Sequence, residues 1–334
     1  MKVLLHDDTP AYLCHGGKQV HAEKLYGSLR NLGIEVEYAR WWDPDQKSDL
    51  IHSLGCSPFM VSAAHHAGVR VVLTHIVDEM TNSSPSRRLW HRTRNAAIRE
   101  FAPGSLRRLF PWHVLPAIDQ LVYTTQADAE TAIAIYGIQP RRTHVIPHGC
   151  SADEIARLQA GPRNAVSYLV SVASIVPRKN TVLLARAARR ARVPLVFLGK
   201  PFNEEDPYFK EFKAFVDGEC VIYPGYVSET EKTAWMIGAS GFVLASRAES
   251  GCLAVYEAAA AGLPMLLSDR PWARAYGRNP SLHLVQPSED ALAERLKPFF
   301  DASERMEGCT FPVLTWDDIA KRYLSVYQQA LLEA

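Results

Sequence analysis

The chain has 334 residues, with 37 Lys and Arg against 36 Asp and Glu, so its formal net charge at pH 7 is +1. The length suits about two domains of ordinary size, and 47% hydrophobic with 22% charged residues is typical of a globular protein and excludes a disordered one. Near neutrality excludes an overall attraction to nucleic acid, although it does not exclude a local basic patch.

The first half of the chain alternates between strand-like apolar runs and helical patterns. Residues 3–5 form a strand pattern, two glycines follow at positions 16 and 17, and a helical pattern then runs to Gly33. Further strand patterns lie at 34–38, 50–52, 69–73, 120–124 and 144–146. This alternation predicts right-handed crossovers and a parallel sheet with helices on both faces.

The pattern then restarts, which predicts a second domain of the same class. Strands are predicted at 168–173, 195–198, 221–223, 241–244 and 265–267, with helices at 181–190 and 254–261. The segment 158–164 contains Gly161-Pro162 and is the predicted linker. We therefore expect two tandem doubly wound α/β domains, 1–160 and 165–315, facing across a ligand cleft, with a last helix in 316–334 that returns to the first domain.

Two features bear on the cellular compartment. The six cysteines lie far apart and include no C-x-x-C pair, which argues against a zinc ribbon or a disulfide framework and favours a reducing compartment. The first apolar run is broken at once by Asp7 and Asp8, too early for a signal peptide, and no apolar stretch reaches the roughly 18 residues of a membrane span. These features favour a cytoplasmic protein.

The most informative segment surrounds two glutamates of the second domain. A strand precedes Glu249, and Gly251 is expected to open a helix that contains Glu257. The backbone N–H groups of Gly251, Cys252 and Leu253 would then form an anion site, to which the helix dipole adds about half a positive charge. This spacing suits a diphosphate between two polyols, each met by one glutamate. The alternative is a helix-capping Glu249 and a surface Glu257.

The stretch from Glu249 to Glu257 is an E-x7-E pattern, and A-A-A-x-G-x-P follows it. In both features the chain resembles the retaining nucleotide-sugar glycosyltransferases of family four, which have the GT-B fold. The resemblance extends over nearly the whole chain. The other matching segments, in chain order, are Gly16-Gly17, the strand ending at His75, the turn 145–150, the loop 174–180, the loop 224–228 and the helix start at Thr315-Trp316.

The resemblance implies how the second domain would bind its donor. Glu257 would bind the ribose diol, Glu249 the hydroxyls of the transferred sugar, and the N–H groups of 251–253 the distal phosphate. Lys179 would neutralise the charge that grows on the departing diphosphate. The loop at Tyr226 and Val227 would read the base largely through backbone groups, so UDP- and GDP-sugars fit equally well.

The resemblance also assigns residues of the first domain. His75 would touch the sugar, and Gly16-Gly17 would form a loop at the donor. Alternatively, His75 is a hydrogen-bonded core histidine and the glycines form a simple turn. No side-chain nucleophile is implied, because family members retain configuration, apparently by same-face attack. We expect no cofactor and no metal, and the pattern Asp43-Pro44-Asp45 is interpreted as a surface loop.

The chain departs from the family at the diphosphate. Ser174 stands where the family has Arg, and Asn180 stands where it has Gly. The diphosphate therefore loses one of two expected cations. Our hypothesis is that the adjacent Arg178 replaces it.

A basic segment at 87–113 holds seven arginines against the single acid Glu100, with aromatic and leucine side chains between them. Such a segment could lie on an anionic membrane or grip an anionic acceptor. The alternative is a solvated arginine face on a helix whose aromatics enter the core. The expectation is that it helps the enzyme reach a lipid-linked acceptor at the inner face of the membrane.

These observations predict an acceptor-binding first half and a donor-binding second half. The reaction would be retaining transfer of a hexose-type sugar to a glycan, a lipid-linked or a small-molecule acceptor, with no nucleic acid partner. A nucleotide-sugar epimerase or a phosphorylase uses the same architecture. A non-catalytic nucleotide-sugar sensor and a periplasmic-type binding protein are the alternatives from another class, the latter disfavoured without a signal peptide.

Overall fold

The computed structural model of the chain describes residues 1–9, 16–55, 57–160, 168–309 and 311–332. It divides into a first unit, Met1–Gly149 with Leu314–Ala334, and a second unit, Cys150–Val313. The break therefore lies earlier than the one expected between 160 and 165. Residues 158–160 of the predicted linker end a helix, and its remainder, 161–164, lies outside the described residues.

The first unit contains a six-stranded parallel sheet of order β2-β1-β3-β4-β5-β6. The strands are β1 (Lys2–His6), β2 (Glu35–Tyr38), β3 (Leu50–Ser53), β4 (Arg70–Thr74), β5 (Gln120–Tyr123) and β6 (Thr143–Val145). The helices that precede the second unit are α1 (Gly17–Asn31), α2 (Pro58–His66), α3 (Asp78–Thr81), α4 (Pro85–Phe101), α5 (Gly104–Arg107) and α6 (Gln126–Tyr136). Short 3-10 turns lie at Pro111–Ala117 and Pro140–Arg142.

The second unit contains a six-stranded parallel sheet of order β12-β11-β10-β7-β8-β9. The strands are β7 (Leu169–Val172), β8 (Leu195–Leu198), β9 (Val221–Gly225), β10 (Gly241–Leu244), β11 (Met265–Ser268) and β12 (Leu282–Val285). The helices are α7 (Ala152–Ala160), α8 (Thr181–Ala191), α9 (Pro207–Lys213), α10 (Glu229–Gly238), α11 (Leu253–Ala260), α12 (Pro271–Arg274) and α13 (Glu289–Ser303). Pro177–Lys179 form a 3-10 turn.

Apolar side chains fill both faces of the second sheet. Leu169 and Val243 belong to a core cluster on one face, and their chain neighbours Val170 and Phe242 belong to the cluster on the other. Consecutive strand residues point to opposite faces, so strands covered on both sides are continuous apolar runs, and such runs predict five of these six strands. The edge strand β12 was not among the predicted strands, because its four residues include a histidine and give only a short apolar signal.

The helix α7 explains why the boundary lies at Gly149. It packs against α10 and α11, and its Leu158 is buried in a core cluster of the second unit. Glu154 of the same helix forms an ion pair with Lys232 of α10. The helix therefore belongs to the second unit, because its apolar side is covered there.

The last helix, α14 (Trp316–Leu332), belongs to the first unit and is held there by buried hydrogen bonds. The Tyr323 hydroxyl lies 3.0 Å from Thr74 Oγ1 and 3.2 Å from His21 Nε2. The Tyr327 hydroxyl lies 2.8 Å from His52 Nδ1, and His52 Nε2 lies 2.8 Å from Thr74 Oγ1. All five residues are buried, so their polar atoms need partners, and this tyrosine–histidine network ties α14 to α1, β3 and β4.

None of the helices in the described part of the chain is both long enough and apolar enough to cross a bilayer.

The network predicts that acid weakens the fold. Burial lowers the pKa of His52 to about 3, whereas a histidine in an unfolded chain titrates near about 6.5. As the pH falls from about 6.5 towards 3, the unfolded chain binds a proton that the folded protein does not. The free energy of unfolding therefore falls by up to about 1.4 kcal/mol per pH unit at this site.

Urea unfolding of wild type and His52→Gln between pH 7.5 and pH 4.5 tests this prediction. The variant should lose free energy of unfolding less steeply than wild type as the pH falls. His66→Gln removes an exposed imidazole and is the matched control. Equal slopes in wild type and His52→Gln would contradict the prediction.

Candidate functional site

The strand order of the second sheet reverses between β7 and β10. In open α/β sheets, ligands bind outside the carboxyl ends of the strands at this point. Two loops meet there, one after β7 and one after β10. The Arg247 N–H donates to the Arg178 carbonyl at 2.8 Å, and Asn180 Nδ2 donates to the Ala245 carbonyl at 3.0 Å, so the loops brace each other.

Asn180 lies at a turn where a left-handed backbone is required. Its φ is 54°, a left-handed conformation that glycine adopts freely and that asparagine tolerates better than most residues. Its side chain is buried, and Oδ1 accepts a 2.7 Å hydrogen bond from Arg247 Nε. The asparagine therefore keeps the turn and adds contacts between the two loops.

Two cations converge on the buried carboxylate of Glu249. Lys179 Nζ lies 2.5 Å from Glu249 Oε1, and the Arg178 guanidinium donates to Glu249 Oε2 at 3.2 Å. The same guanidinium donates to the Ala248 carbonyl at 2.8 Å. Neighbouring residues on a turn need not point the same way, but here both side chains do. Two cationic side chains therefore contact this one carboxylate.

The ionisation of Glu249 follows from these neighbours. Burial by itself would raise the pKa of its carboxyl group, but the charges of Lys179 and Arg178 outweigh burial and lower it. Glu249 is therefore ionised at neutral pH. The alternative of a simple helix cap does not describe it, because its carboxylate is paired with two side chains.

The helix after Glu249 starts later than expected. Gly251 does not open it: Gly251 has a φ of 75°, Cys252 is still extended, and α11 begins at Leu253. The Cys252 N–H donates to the Tyr276 hydroxyl at 2.9 Å. The sequence predicts an anion site made of three N–H groups, those of residues 251–253. In the structure the middle one, of Cys252, already donates to the Tyr276 hydroxyl, so only two of the three are left for an anion.

The second glutamate of the pattern, Glu257, is buried in α11 and is not a surface residue. Its Oε1 accepts a 2.8 Å hydrogen bond from Lys232 Nζ, which also contacts Glu154 at 3.3 Å and Glu229 at 2.7 Å. The three carboxylate groups lie within 4.8 Å of one another, and the ammonium of Lys232 supplies the positive charge among them.

This cluster shifts pKa values in both directions. Burial, helped by the charge of Glu154, raises the pKa of Glu257, although Lys232 opposes the shift. Burial would lower the pKa of Lys232, but the surrounding carboxylates raise it well above its usual value. Lys232 is therefore charged, and it is the group that favours an ionised Glu257.

The remaining predicted donor residues lie at the same edge of this sheet. Ser174 follows β7, and its carbonyl accepts a hydrogen bond from the Val176 N–H at 3.0 Å. Tyr226 follows β9 and is exposed, with Lys200 Nζ 5.0 Å from its ring centroid. Val227 is half-buried against a core cluster of the unit. Since β9 is separated from β7 by β8, Tyr226 and Val227 belong to a different part of the edge from Glu249, whereas Ser174 follows β7 itself.

In the first unit, His75 comes directly after β4 at a carboxyl strand end. Its Nδ1 lies 3.2 Å from the Tyr123 hydroxyl, and its N–H donates to the Val122 carbonyl at 2.9 Å. Burial lowers the pKa of His75 to about 4, so it is neutral at pH 7. It is a half-buried, hydrogen-bonded histidine at the edge where ligands bind.

Residues 16–17 begin α1 close to the carboxyl end of β1. The Gly16 N–H donates to Gln19 Oε1 at 3.0 Å, and Gln19 Nε2 donates to Asp7 at 3.2 Å. Lys18 Nζ pairs with Asp7 at 2.6 Å. The glycines therefore cap a helix within a charged cluster.

No sequence pattern predicts the contacts of three residues that shape the site. Lys232 carries no motif, and its only signal is a Glu–Lys pair with Glu229 at helical spacing. Tyr276 lies beyond α12 with no pattern that points to Cys252. Asn180 was noticed only as a departure from the family.

Residues 154–310, which lie within the second unit, match the protein family described as Glycosyl transferases group 1. A curated relative, D-inositol 3-phosphate glycosyltransferase 1 of Catenulispora acidiphila, is 26% identical over 246 residues. The match covers 65% of this chain and 59% of the relative. The chain therefore matches less than two thirds of the length of this relative.

Solved structures match the whole chain. A glycosyltransferase from Rickettsia africae has a TM-score of 0.69 at 12% identity and covers 100% of this chain and 99% of its own. A sucrose-phosphate synthase from Thermosynechococcus elongatus has a TM-score of 0.66 at 15% identity and covers 100% of both chains. Such identities show the fold, and the predicted fold class is confirmed: two Rossmann-like parallel-sheet units of six strands each, as in GT-B glycosyltransferases.

The Glu249 cluster predicts unequal effects of its two cations on stability. Lys179→Met leaves a buried carboxylate with one half-exposed partner, and breaking a buried pair costs about 3–5 kcal/mol. Arg178 has a side chain that is 40% exposed, so its removal should cost at most about 1 kcal/mol. Urea unfolding of both single variants measures the two costs.

The double variant Lys179→Met/Glu249→Gln removes both the ammonium of Lys179 and the carboxylate of Glu249. It should recover most of the stability that Lys179→Met loses, because no uncompensated charge remains buried. If Lys179→Met is no more destabilising than Arg178→Ala, this view of the cluster is wrong.

Proposed function

We propose that the protein is a retaining glycosyltransferase that moves a hexose-type sugar from a UDP- or GDP-sugar to an acceptor. The observation that carries this proposal is a buried, ionised Glu249 between Lys179 and Arg178 at the switch point of the second sheet. The match of that unit to Glycosyl transferases group 1, and a relative named as a glycosyltransferase, support it.

In this proposal, the diphosphate of the donor lies beside Lys179 and Arg178. Lys179 and Arg178 are two cationic side chains at this point of the sheet, and positive charge favours the binding of an anion. Leu253, the first residue of α11, and Gly251, two residues before it, would offer backbone N–H groups to the distal phosphate. The Cys252 N–H could also bind the phosphate only if its hydrogen bond to the Tyr276 hydroxyl breaks.

The chemistry follows from where charge develops. The hydroxyl of the acceptor attacks the anomeric carbon as the bond to the distal phosphate breaks, and the departing nucleoside diphosphate takes its proton. Lys179, Arg178 and the helix terminus stabilise the growing negative charge on the leaving group. Glu249 accepts hydrogen bonds from hydroxyls of the sugar, a role that suits an ionised carboxylate. The step needs no side-chain nucleophile, and we assign it no metal.

The other contacts remain part of the proposal. Glu257 would accept hydrogen bonds from the ribose diol, with Lys232 as the residue that keeps it ionised. Tyr226 and Val227 would meet the base. In the first unit, the family resemblance assigns His75 to the sugar and the loop 16–17 to the donor. In the second unit, Ser174 brings no positive charge, so Arg178 would be the second cation at the diphosphate.

The acceptor would be a glycan or a lipid-linked or small molecule, and helix α4 favours the lipid-linked class. Within α4, Asn95 is the one buried residue. Leu89, Trp90 and Phe101 are each more than half exposed. Positions 89, 90, 93, 96, 97, 100 and 101 share one helical face, all of them are exposed, and Glu100 is the one acid on this face.

The arginines around the exposed face of α4 favour a negatively charged surface as its partner. Arg87 and Arg92 are exposed beside the apolar face, and Leu109 beyond α5 adds another exposed apolar side chain. A largely apolar face flanked by arginines is typical of a helix that lies on an anionic bilayer. We therefore propose peripheral contact with anionic membranes through the segment 87–113.

Thermal unfolding with UDP, GDP and their sugars tests the proposed function, because a ligand that prefers the folded state raises the melting temperature. Incubation with the stabilising donor alone then separates the reaction classes. A transferase slowly hydrolyses the donor, an epimerase returns an epimerised sugar, and a sensor leaves it unchanged. Glu249→Ala should abolish turnover if the protein is an enzyme of the proposed kind.

Arg178→Ala tests whether this residue replaces the missing arginine. Loss of one cation at the diphosphate should weaken donor binding roughly tenfold or more, which corresponds to about 1.4 kcal/mol. Isothermal titration with the donor measures the change. Arg186→Ala removes an exposed arginine of α8 that pairs with Glu211 and is the matched control. Unchanged donor affinity and turnover in Arg178→Ala would refute the assignment.

Co-sedimentation with vesicles tests the membrane contact. Wild type should sediment with vesicles that contain anionic lipid more than with neutral ones, and Leu89→Ser/Trp90→Ser should lose most of this binding. Phe202→Ser removes an exposed aromatic side chain of the second unit and is the control. No preference of the wild type for anionic lipid would count against the contact.

A further inference from the structure

Two consecutive tryptophans protrude from the first unit. Trp41 is 68% exposed and Trp42 is 79% exposed. Burial of large apolar side chains is strongly favourable, and exposed apolar patches commonly mark binding surfaces. The two indoles therefore point to a partner outside the chain.

The turn that carries the tryptophans is held firmly. The Arg40 guanidinium donates to Glu37 at 2.7 Å and to Asp43 at 2.7 and 3.0 Å, across the two tryptophans. The Gln46 amide donates to the Tyr38 carbonyl at 3.0 Å and to Glu37 at 2.9 Å, and its oxygen accepts from the Arg40 N–H at 2.7 Å. A turn braced in this way loses little conformational entropy when it binds a ligand.

The turn lies at the carboxyl edge of the first sheet, because it follows β2, which pairs with β1. The Trp41 ring meets the ring of His6, the last residue of β1, edge-to-face at 4.8 Å. Asp7 and Asp8 come next, and their carboxylates pair with Lys18 at 2.6 and 3.0 Å. Apolar ring faces and a group of charged hydrogen-bonding side chains thus lie close together.

The charge around the turn decides which partner fits. The carboxylates of Asp7, Asp8, Glu37 and Asp43 surround it, and Lys18 and Arg40 each pair with two of them. Unlike the arginine-rich face of α4, these ion pairs leave no excess of positive charge that would attract an anionic bilayer. Two aromatic side chains offer about 150–250 Å² each, well below the roughly 800 Å² per partner of a stable protein interface. A small uncharged ligand with an apolar face and a polar rim fits both the charge around the turn and the small area of the two indoles.

We propose that Trp41 and Trp42 form a stacking platform for a pyranose ring of the acceptor. The C–H face of the ring would lie on the indoles, and its hydroxyls would reach Asp7 and Asp8. This inference rests on the proposed function, because only a glycosyltransferase needs an acceptor there, and it narrows the acceptor to one that contains a sugar ring.

The indole N–H signals in ¹H–¹⁵N NMR spectra report directly on this platform. The probes are the methyl glycosides of glucose, galactose, mannose and N-acetylglucosamine, together with maltose and cellobiose. At least one probe should shift the signals of both tryptophans. Trp41→Ala and Trp42→Ala should each weaken its binding roughly tenfold, or about 1.4 kcal/mol. Phe202→Ala is the matched control for an exposed aromatic side chain.

Donor binding by the same variants separates this inference from the proposed function. Unchanged donor affinity together with weaker sugar binding in the two variants supports the platform. If wild type binds a donor but no probe shifts the two indoles, or if anionic vesicles shift them instead, the platform is refuted and the transferase proposal stands. If no nucleotide sugar binds to wild type, both fail.

Discussion

The candidate site depends on one buried carboxylate. An ionised Glu249 inside the protein is costly unless cations compensate it, and Lys179 and Arg178 do so from a loop that lies far away in the chain. They can meet only because β7 and β10 are neighbours in the parallel sheet. The strand order, the left-handed Asn180 and the bonds between the two loops therefore all support one ion-pair cluster.

The two glutamates of the E-x7-E pattern are both buried, yet the pKa values of their carboxyl groups shift in opposite directions. The ratio of charges explains the difference. Glu249 pairs with two cations, whereas Glu257 shares the ammonium of Lys232 with two other carboxylates. The proposed donor site thus pairs a firmly ionised carboxylate with one whose ionisation depends on Lys232.

The first unit has different features and offers two distinct surfaces. Neutral hydrogen bonds of Tyr323 and Tyr327 hold its last helix. Helix α4 presents apolar side chains among arginines, and the turn at Trp41 presents indoles among carboxylates. Exposed arginine side chains beside the first surface and paired charges beside the second support the two partners proposed for them, an anionic bilayer and a neutral sugar.

The sequence by itself determined the fold class and most strands, because buried parallel strands are continuous apolar runs whose pattern is local. It also predicted Glu249, Glu257 and Lys179 as site residues, and in the structure all three take part in ion pairs. Only the tertiary structure decided the start of α11, the domain break at Gly149 and the partners of each charge. Those partners are separated by 70 residues for Lys179 and Glu249, 25 for Lys232 and Glu257, and 24 for Cys252 and Tyr276. Contacts at such separations depend on how strands and helices pack, and no local pattern records them.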